Sequence, residues 1–195
     1  MEYQIIASEN FQPKRWSGGT TTELFIFPPT ADYEKRNFQF RLSTATVETE
    51  KSDFTSLPGI SRKLMILFGK IAISHEGHYS RQFDKYDLDE FEGDWKTSSV
   101  GKCTDFNLMM TGKTSGELSA MAIKEKQHIS YNIKENCDWL FMYLYSGKVS
   151  IEINHKTAIL NKGDLLVVNN PPIINPEVLG IENSDLVFSE ITTDD

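Results

Sequence analysis

Arg41 and Ser43 stand two residues apart in Phe38-Gln39-Phe40-Arg41-Leu42-Ser43-Thr44-Ala45-Thr46-Val47. On a β-strand residues i and i+2 project from one face. The guanidinium and the hydroxyl therefore point the same way, opposite Phe38, Phe40 and Leu42. Asp105 and Asn107 repeat this spacing in Asp105-Phe106-Asn107-Leu108-Met109 and also share a face. Arginine, hydroxyl and amide groups suit a small carboxylate, because charge-assisted guanidinium contacts are among the strongest hydrogen bonds available. An amino-acid derivative would fit. Trp16 offers a flat apolar wall and an indole donor, Gly18-Gly19 lets backbone approach closely, and Glu23 is an acceptor. A purely structural reading stands beside each: Trp16 as a lid over the core, Gly18-Gly19 as a simple turn, Glu23 as the salt-bridge partner of Arg41.

Signals for catalysis are thinner. Glu23, Asp105 and His78 are candidate proton carriers, but no nucleophile with an adjacent base is visible. The chain reads as a binding protein rather than an enzyme. His75, His78, His128 and His155 fall at strand ends or turns, where solvent-exposed imidazoles are expected, and His75-x-x-His78 matches a metal-ligand pair in spacing only. Cys103 and Cys137 are too few and too far apart for a disulfide framework or a zinc site, and read as reduced thiols. No metal and no cofactor is expected.

The elements that must position these groups are strands. Short runs rich in Ile, Val, Phe and Tyr recur between Gly, Asn, Asp and Pro: Thr22 to Phe27, Lys63 to Phe68, Lys70 to His75, Phe106 to Met110, Trp139 to Tyr145, Lys148 to Asn154, Asp164 to Val168 and Asp185 to Ile191. No long amphipathic helix is legible, so the pattern predicts an all-β sandwich or barrel. It is also doubled. Leu67-Phe68-Gly69-Lys70-Ile71-Ala72-Ile73 returns as Tyr145-Ser146-Gly147-Lys148-Val149-Ser150-Ile151, each followed by Gly-Asp, at Gly93-Asp94 and Gly163-Asp164. The glycines stand 78 and 70 positions apart, which predicts an eight-residue loop insertion in the first copy. Two units follow, residues 1–115 and 116–195, packed as one globule.

The 195 residues suffice for such a core, burying roughly 70% of the unfolded surface. A net charge of −8 without a basic stripe points away from nucleic acid. The start, from Met1 to Ile6, lacks a cationic segment followed by a long apolar one, and the longest apolar run falls far short of a membrane helix. A cytoplasmic, soluble protein is expected. Its expected partner is a small anionic ligand, and a homodimer is compatible with the sequence.

The succession after Gly147, a strand, the Asn154-His155 turn, a short strand Thr157 to Leu160, Gly163-Asp164, an apolar strand and Pro171-Pro172, resembles the second half of a cupin barrel. Two copies imply a bicupin, two jelly-roll β-barrels packed together. In metal-binding cupins a Glu precedes the repeat glycine by seven residues; here those places hold Leu140 and Arg62. The His-x-His places fall near Ser56, Pro58, Lys134 and Asn136, and no histidine follows His155. The resemblance thus implies an empty ligand set and places Arg62 pointing into the first barrel. A buried cation needs an anionic partner. That partner is either Asp105, beside the last-histidine place at Thr104, or a ligand.

A second resemblance is carried by Trp16-Ser17-Gly18-Gly19-Thr20-Thr21-Thr22-Glu23, Arg41-Leu42-Ser43-Thr44-Ala45-Thr46-Val47, Phe54-Thr55-Ser56-Leu57-Pro58-Gly59-Ile60-Ser61-Arg62 and Asp105-Phe106-Asn107-Leu108-Met109. In this order and combination they resemble the HutD/Ves family, metal-free bicupins associated with histidine utilisation or stress response. The resemblance implies a small-molecule binding site built from Trp16, Glu23, Arg41, Ser43, Arg62, Asp105 and Asn107, with a regulatory or protective role. Two alternatives stay open: a metal-free cupin isomerase or hydrolase using Glu23 and Asp105, and an interaction module with a vestigial pocket.

Overall fold

The computed structural model describes residues 3–171 and 175–193. Among them the chain is all-β, with nineteen strands in four antiparallel sheets and one 3-10 turn at Ser8–Asn10. Phe11–Thr114 forms one compact unit, and the described residues before and after it form the other. The first strand, β1 (Tyr3–Ile6), belongs to that second unit.

In Phe11–Thr114 the strands are β2 (Pro13–Trp16), β3 (Gly19–Phe27), β4 (Phe40–Val47), β5 (Lys51–Asp53), β6 (Ile60–Gly69), β7 (Ile71–His75), β8 (Tyr79–Phe83), β9 (Leu88–Glu92), β10 (Thr97–Val100) and β11 (Cys103–Thr111). They form a six-stranded sheet ordered β2-β3-β4-β11-β6-β9 and a four-stranded sheet ordered β5-β10-β7-β8. Alternation explains the packing: Ile71, Ile73 and His75 of β7 are buried while Ala72 points outward and Ser74 is half-buried. The inward set meets Val47, Leu64, Ile66 and Phe91 from the larger sheet and Phe83 from β8. Each such aliphatic side chain contributes about 1.5–3 kcal/mol on burial.

The other unit contains β12 (Ser115–Ile123), β13 (His128–Ser130), β14 (Trp139–Ser146), β15 (Lys148–Ile153), β16 (Lys156–Asn161), β17 (Leu165–Asn169), β18 (Glu177–Gly180) and β19 (Ser184–Thr192). Its sheets are ordered β1-β17-β14-β19-β12 and β13-β18-β15-β16. The core between them joins Leu140, Met142 and Leu144 of β14 to Val149, Ile151 and Ile153 of β15 and to Leu186 and Phe188 of β19. None of the four sheets closes into a barrel. Tyr3–Ile6 lies opposite Val168–Leu165 in antiparallel register, so residues 3–10 group with this unit and not with the first.

The doubled glycines have a common cause. Gly69 and Gly147 adopt φ of 83° and 82°. A Cβ would stand 2.4 Å from Lys102 O at the first and 2.3 Å from Asn183 O at the second. Backbone passes too close for any side chain.

The Gly-Asp pairing needs correction. Gly163 precedes β17, donates its N–H to Leu144 O and has φ of 88°; its counterpart before β9 is Tyr86, which donates to Ile66 O and has φ of 71°. Asp164 Oδ2 accepts from Asn161 N, and Asp87 Oδ2 accepts from Asp84 N in the same turn. Gly93-Asp94 instead follows β9, where Gly93 exchanges backbone hydrogen bonds with Leu57 and Ile60. The eight-residue insertion disappears, because a tyrosine holds the left-handed position in the first copy. Pro172 of the expected proline turn lies outside the described residues.

Candidate functional site

Antiparallel pairing assembles the candidate residues on one face of the six-stranded sheet. Glu23 lies opposite Ser43, Ser43 opposite Asn107, and Asn107 opposite Leu64. In the neighbouring row Arg41 faces Met109, Met109 faces Arg62, and Arg62 faces Phe91. Asp105 stands opposite Ala45, two residues from Asn107. Opposed residues share a face, so four strands deliver one polar surface. It floors a cleft of about 790 Å³ whose lining includes Trp16, Glu23, Arg41, Ser43, Arg62, Asp105 and Asn107. The structure brings all seven sequence candidates together.

Their electrostatic situations differ. Buried Arg41 donates from Nε to Glu23 Oε2 at 2.7 Å and from NH1 to Ser43 Oγ at 3.0 Å, and its guanidinium lies 4.4 Å from the Tyr33 ring centroid. Glu23 is therefore committed to Arg41. Arg62 is only 7% exposed and sits among Phe54 and Phe91, with its guanidinium 5.3 and 4.9 Å from their centroids. Among the described residues it makes no hydrogen bond or ion pair, and its buried Nε is unsatisfied. Burial pushes Arg62 down to about 10, opposed by the charge of Asp105. Burial likewise pushes the Asp105 carboxyl up to about 7, opposed by Arg62. The two groups feel each other without touching.

Asp105 Oδ1, Asn107 Oδ1 and Thr49 Oγ1 are also buried without a partner. Such atoms are a small minority in folded proteins and each costs about 1–3 kcal/mol unless matched. Four of them lie in the lining of one cleft.

Trp16, 37% exposed, lies over Gly18, where a Cβ would fall 2.0 Å from the indole ring. The glycine gives the ring its seat at the cleft wall. Sequence reasoning missed Tyr33, Thr49 and Phe54, which come from segments without a clear period; the cation-π contact of Tyr33 depends on a loop whose path no local pattern reports. It also placed His75 among the exposed turn histidines. His75 is buried, with Nδ1 2.8 Å from Thr97 Oγ1 and Nε2 3.0 Å from Asp89 Oδ2. Tyr79 OH donates to the other oxygen of Asp89. His78, His128 and His155 are exposed.

The donor set does not fit a divalent metal. The cleft floor offers one uncommitted carboxylate, an amide and hydroxyls beside two guanidinium groups, and no imidazole. Among the described residues no three His, Cys, Asp or Glu side chains converge on a metal site.

The carboxyl-terminal unit shows what the same positions become without such a cleft floor. Leu140 stands at the place of Arg62, and Leu186 and Phe188, opposite Leu144 and Met142, stand at the places of Asp105 and Asn107. All three are fully buried in the core, and Tyr131 stacks on Phe188 at 3.8 Å.

Comparisons with known proteins bear on the family and the fold. The family model described as HutD matches residues 8–184. No curated protein sequence matches the chain. A conserved protein of unknown function from Pseudomonas aeruginosa PAO1 superposes with a TM-score of 0.83 at 19% identity, over 99% of this chain and 100% of that one. HutD from Pseudomonas fluorescens SBW25 gives 0.75 at 19% identity, with 100% of both chains covered. The bacterial pirin from Escherichia coli in complex with nickel(II) gives 0.73 at 10% identity, over 99% and 100%.

Proposed function

Because the chain belongs to the HutD family of cupin-type proteins, we propose that it is a metal-independent bicupin, each pair of sheets a cupin-like barrel, whose first unit binds a small anionic metabolite. The role is regulatory or protective, in histidine utilisation or stress, and the protein works in the cytoplasm. No helix among the described residues is long and apolar enough to cross a membrane.

One observation carries the ligand reading: Arg62 is buried without an anionic contact while Arg41, on the same face, has Glu23. An unpartnered cation in an apolar surround is costly, and a carboxylate or phosphate oxygen is the natural partner. The wall of Phe54 and Trp16 supports a ligand with some apolar surface. Thermal melts across a panel of carboxylates test this. A concentration-dependent rise with at least one of them is expected; a flat response across the panel sinks the reading.

A second reading is favoured by the Asp105 carboxyl, held near 7 in a cleft, which suits a proton carrier. Under it the protein is an acid-base isomerase or hydrolase. Glu23, engaged by Arg41, does not serve that role well. Turnover of a panel substrate that is lost in Asp105→Asn and unaffected by chelators would favour this reading.

A further inference from the structure

Buried polar atoms must be matched in kind as well as in number. Of the unsatisfied atoms in the cleft, Arg62 Nε is a donor, whereas Asp105 Oδ1 and Asn107 Oδ1 are oxygens. Asn107 can turn its amide over. Asp105 carries oxygen in both positions, so ionised Asp105 can only accept. A simple carboxylate presents acceptors alone. It satisfies Arg62 and brings a second anion towards Asp105.

Charge points the same way. Arg41 and Glu23 neutralise each other. The rest of the buried floor holds one cation, Arg62, and one anion, Asp105, both at most 7% exposed and with no hydrogen bond between them. A ligand that meets this floor charge for charge has one negative and one positive group and no net charge. We propose that the cleft takes a free α-amino acid, its carboxylate on Arg62 and its ammonium on Asp105 and the Asn107 carbonyl. The ammonium supplies the donors that both oxygens lack, and it gives Asp105 a counter-ion that keeps it ionised. Phe54 and Leu64 are left to contact the amino-acid side chain. This rests on the reading of the cleft as a carboxylate site.

Calorimetry on the unmodified protein decides it, using each proteinogenic L-amino acid against the carboxylic acid that lacks its amino group, for example alanine against propionate and glutamate against glutarate. At least one amino acid should bind about tenfold or more tightly than its counterpart, the size of a charged hydrogen bond. Asp105→Asn, confirmed folded by its melt, should collapse that ratio to about threefold or less while carboxylate binding persists. Carboxylates that bind as well as or better than their amino acids overturn the amino-acid assignment and leave the anion site standing. Binding by neither series overturns both.

Discussion

Arg41 reaches Glu23 with a 2.7 Å hydrogen bond from Nε, and this contact fixes which arginine of the cleft is structural. Both residues stand on the polar face of the same sheet, on adjacent strands, with Glu23 opposite Ser43, two residues along the strand from Arg41. The side chain of Arg41 is 6% exposed and that of Glu23 38%, so the pair is neither a surface bridge nor a fully desolvated one. Arg62, in the same row as Arg41, has aromatic rings where Arg41 has a carboxylate.

Glu23→Ala should therefore lower stability by about 1–2 kcal/mol. A buried charge that loses its partner costs more, and the exposure of Glu23 discounts the figure. Urea melts measure it. A change within error of zero would show that solvent already satisfies Arg41.

Arg62→Met should behave in the opposite way. The methionine fills a similar volume among Phe54 and Phe91 without a charge to desolvate, and such replacements are often neutral or stabilising. At pH 6, where Asp105 is largely protonated, the melting temperature should hold or rise and the carboxylate-induced shift should vanish. A large destabilisation with the shift retained would reverse the assignment.

Gly69→Ala and Gly147→Ala should each cost about 2–4 kcal/mol, since both combine a left-handed backbone with a carbonyl closer than 2.5 Å to the added carbon. Chemical melts of the two variants check this. Equal losses would show that the repeat is conserved by backbone geometry and not by sequence alone.

These glycines also show how much was legible. Gly69 and Gly147 mark close approaches in both units, so aligning them assigned Leu140 and Arg62 to matching places, as the strand registers do. The Gly-Asp half of the repeat misled, because Tyr86 carries the positive φ that glycine carries at 163. Strands β8 and β12 were not visible: Tyr79–Gln82 and much of Ser115–Ile123 are exposed and lack the alternation that a half-buried strand writes into a sequence. The cleft floor was legible for the same reason in reverse. Arg41, Ser43, Asp105 and Asn107 lie on strands with a clear period, so spacing alone put each pair on one face. Their division of labour was not legible, since only side-chain geometry shows that Glu23 is taken and Arg62 is not.

Asp105 gives stability a pH dependence whose sign is fixed by burial. Its carboxyl is displaced from an ordinary 3.8 up to about 7 in the folded protein. Between those values the folded chain holds a proton that the unfolded chain has released, so raising the pH through this window removes stability, and above about 7 the loss is complete. Each tenfold change in proton affinity corresponds to about 1.4 kcal/mol, so a displacement from 3.8 to about 7 amounts to on the order of 4 kcal/mol. Asp105→Asn keeps the shape and removes the ionisation. The stability of the variant relative to the natural protein should rise from pH 4 to pH 8 and flatten beyond. The comparison subtracts every other titrating group, which both proteins share. Urea melts in that range, in buffers free of carboxylates and phosphate, measure it. A difference that does not vary with pH would mean that Asp105 is ionised throughout and that Arg62 is, after all, its working partner.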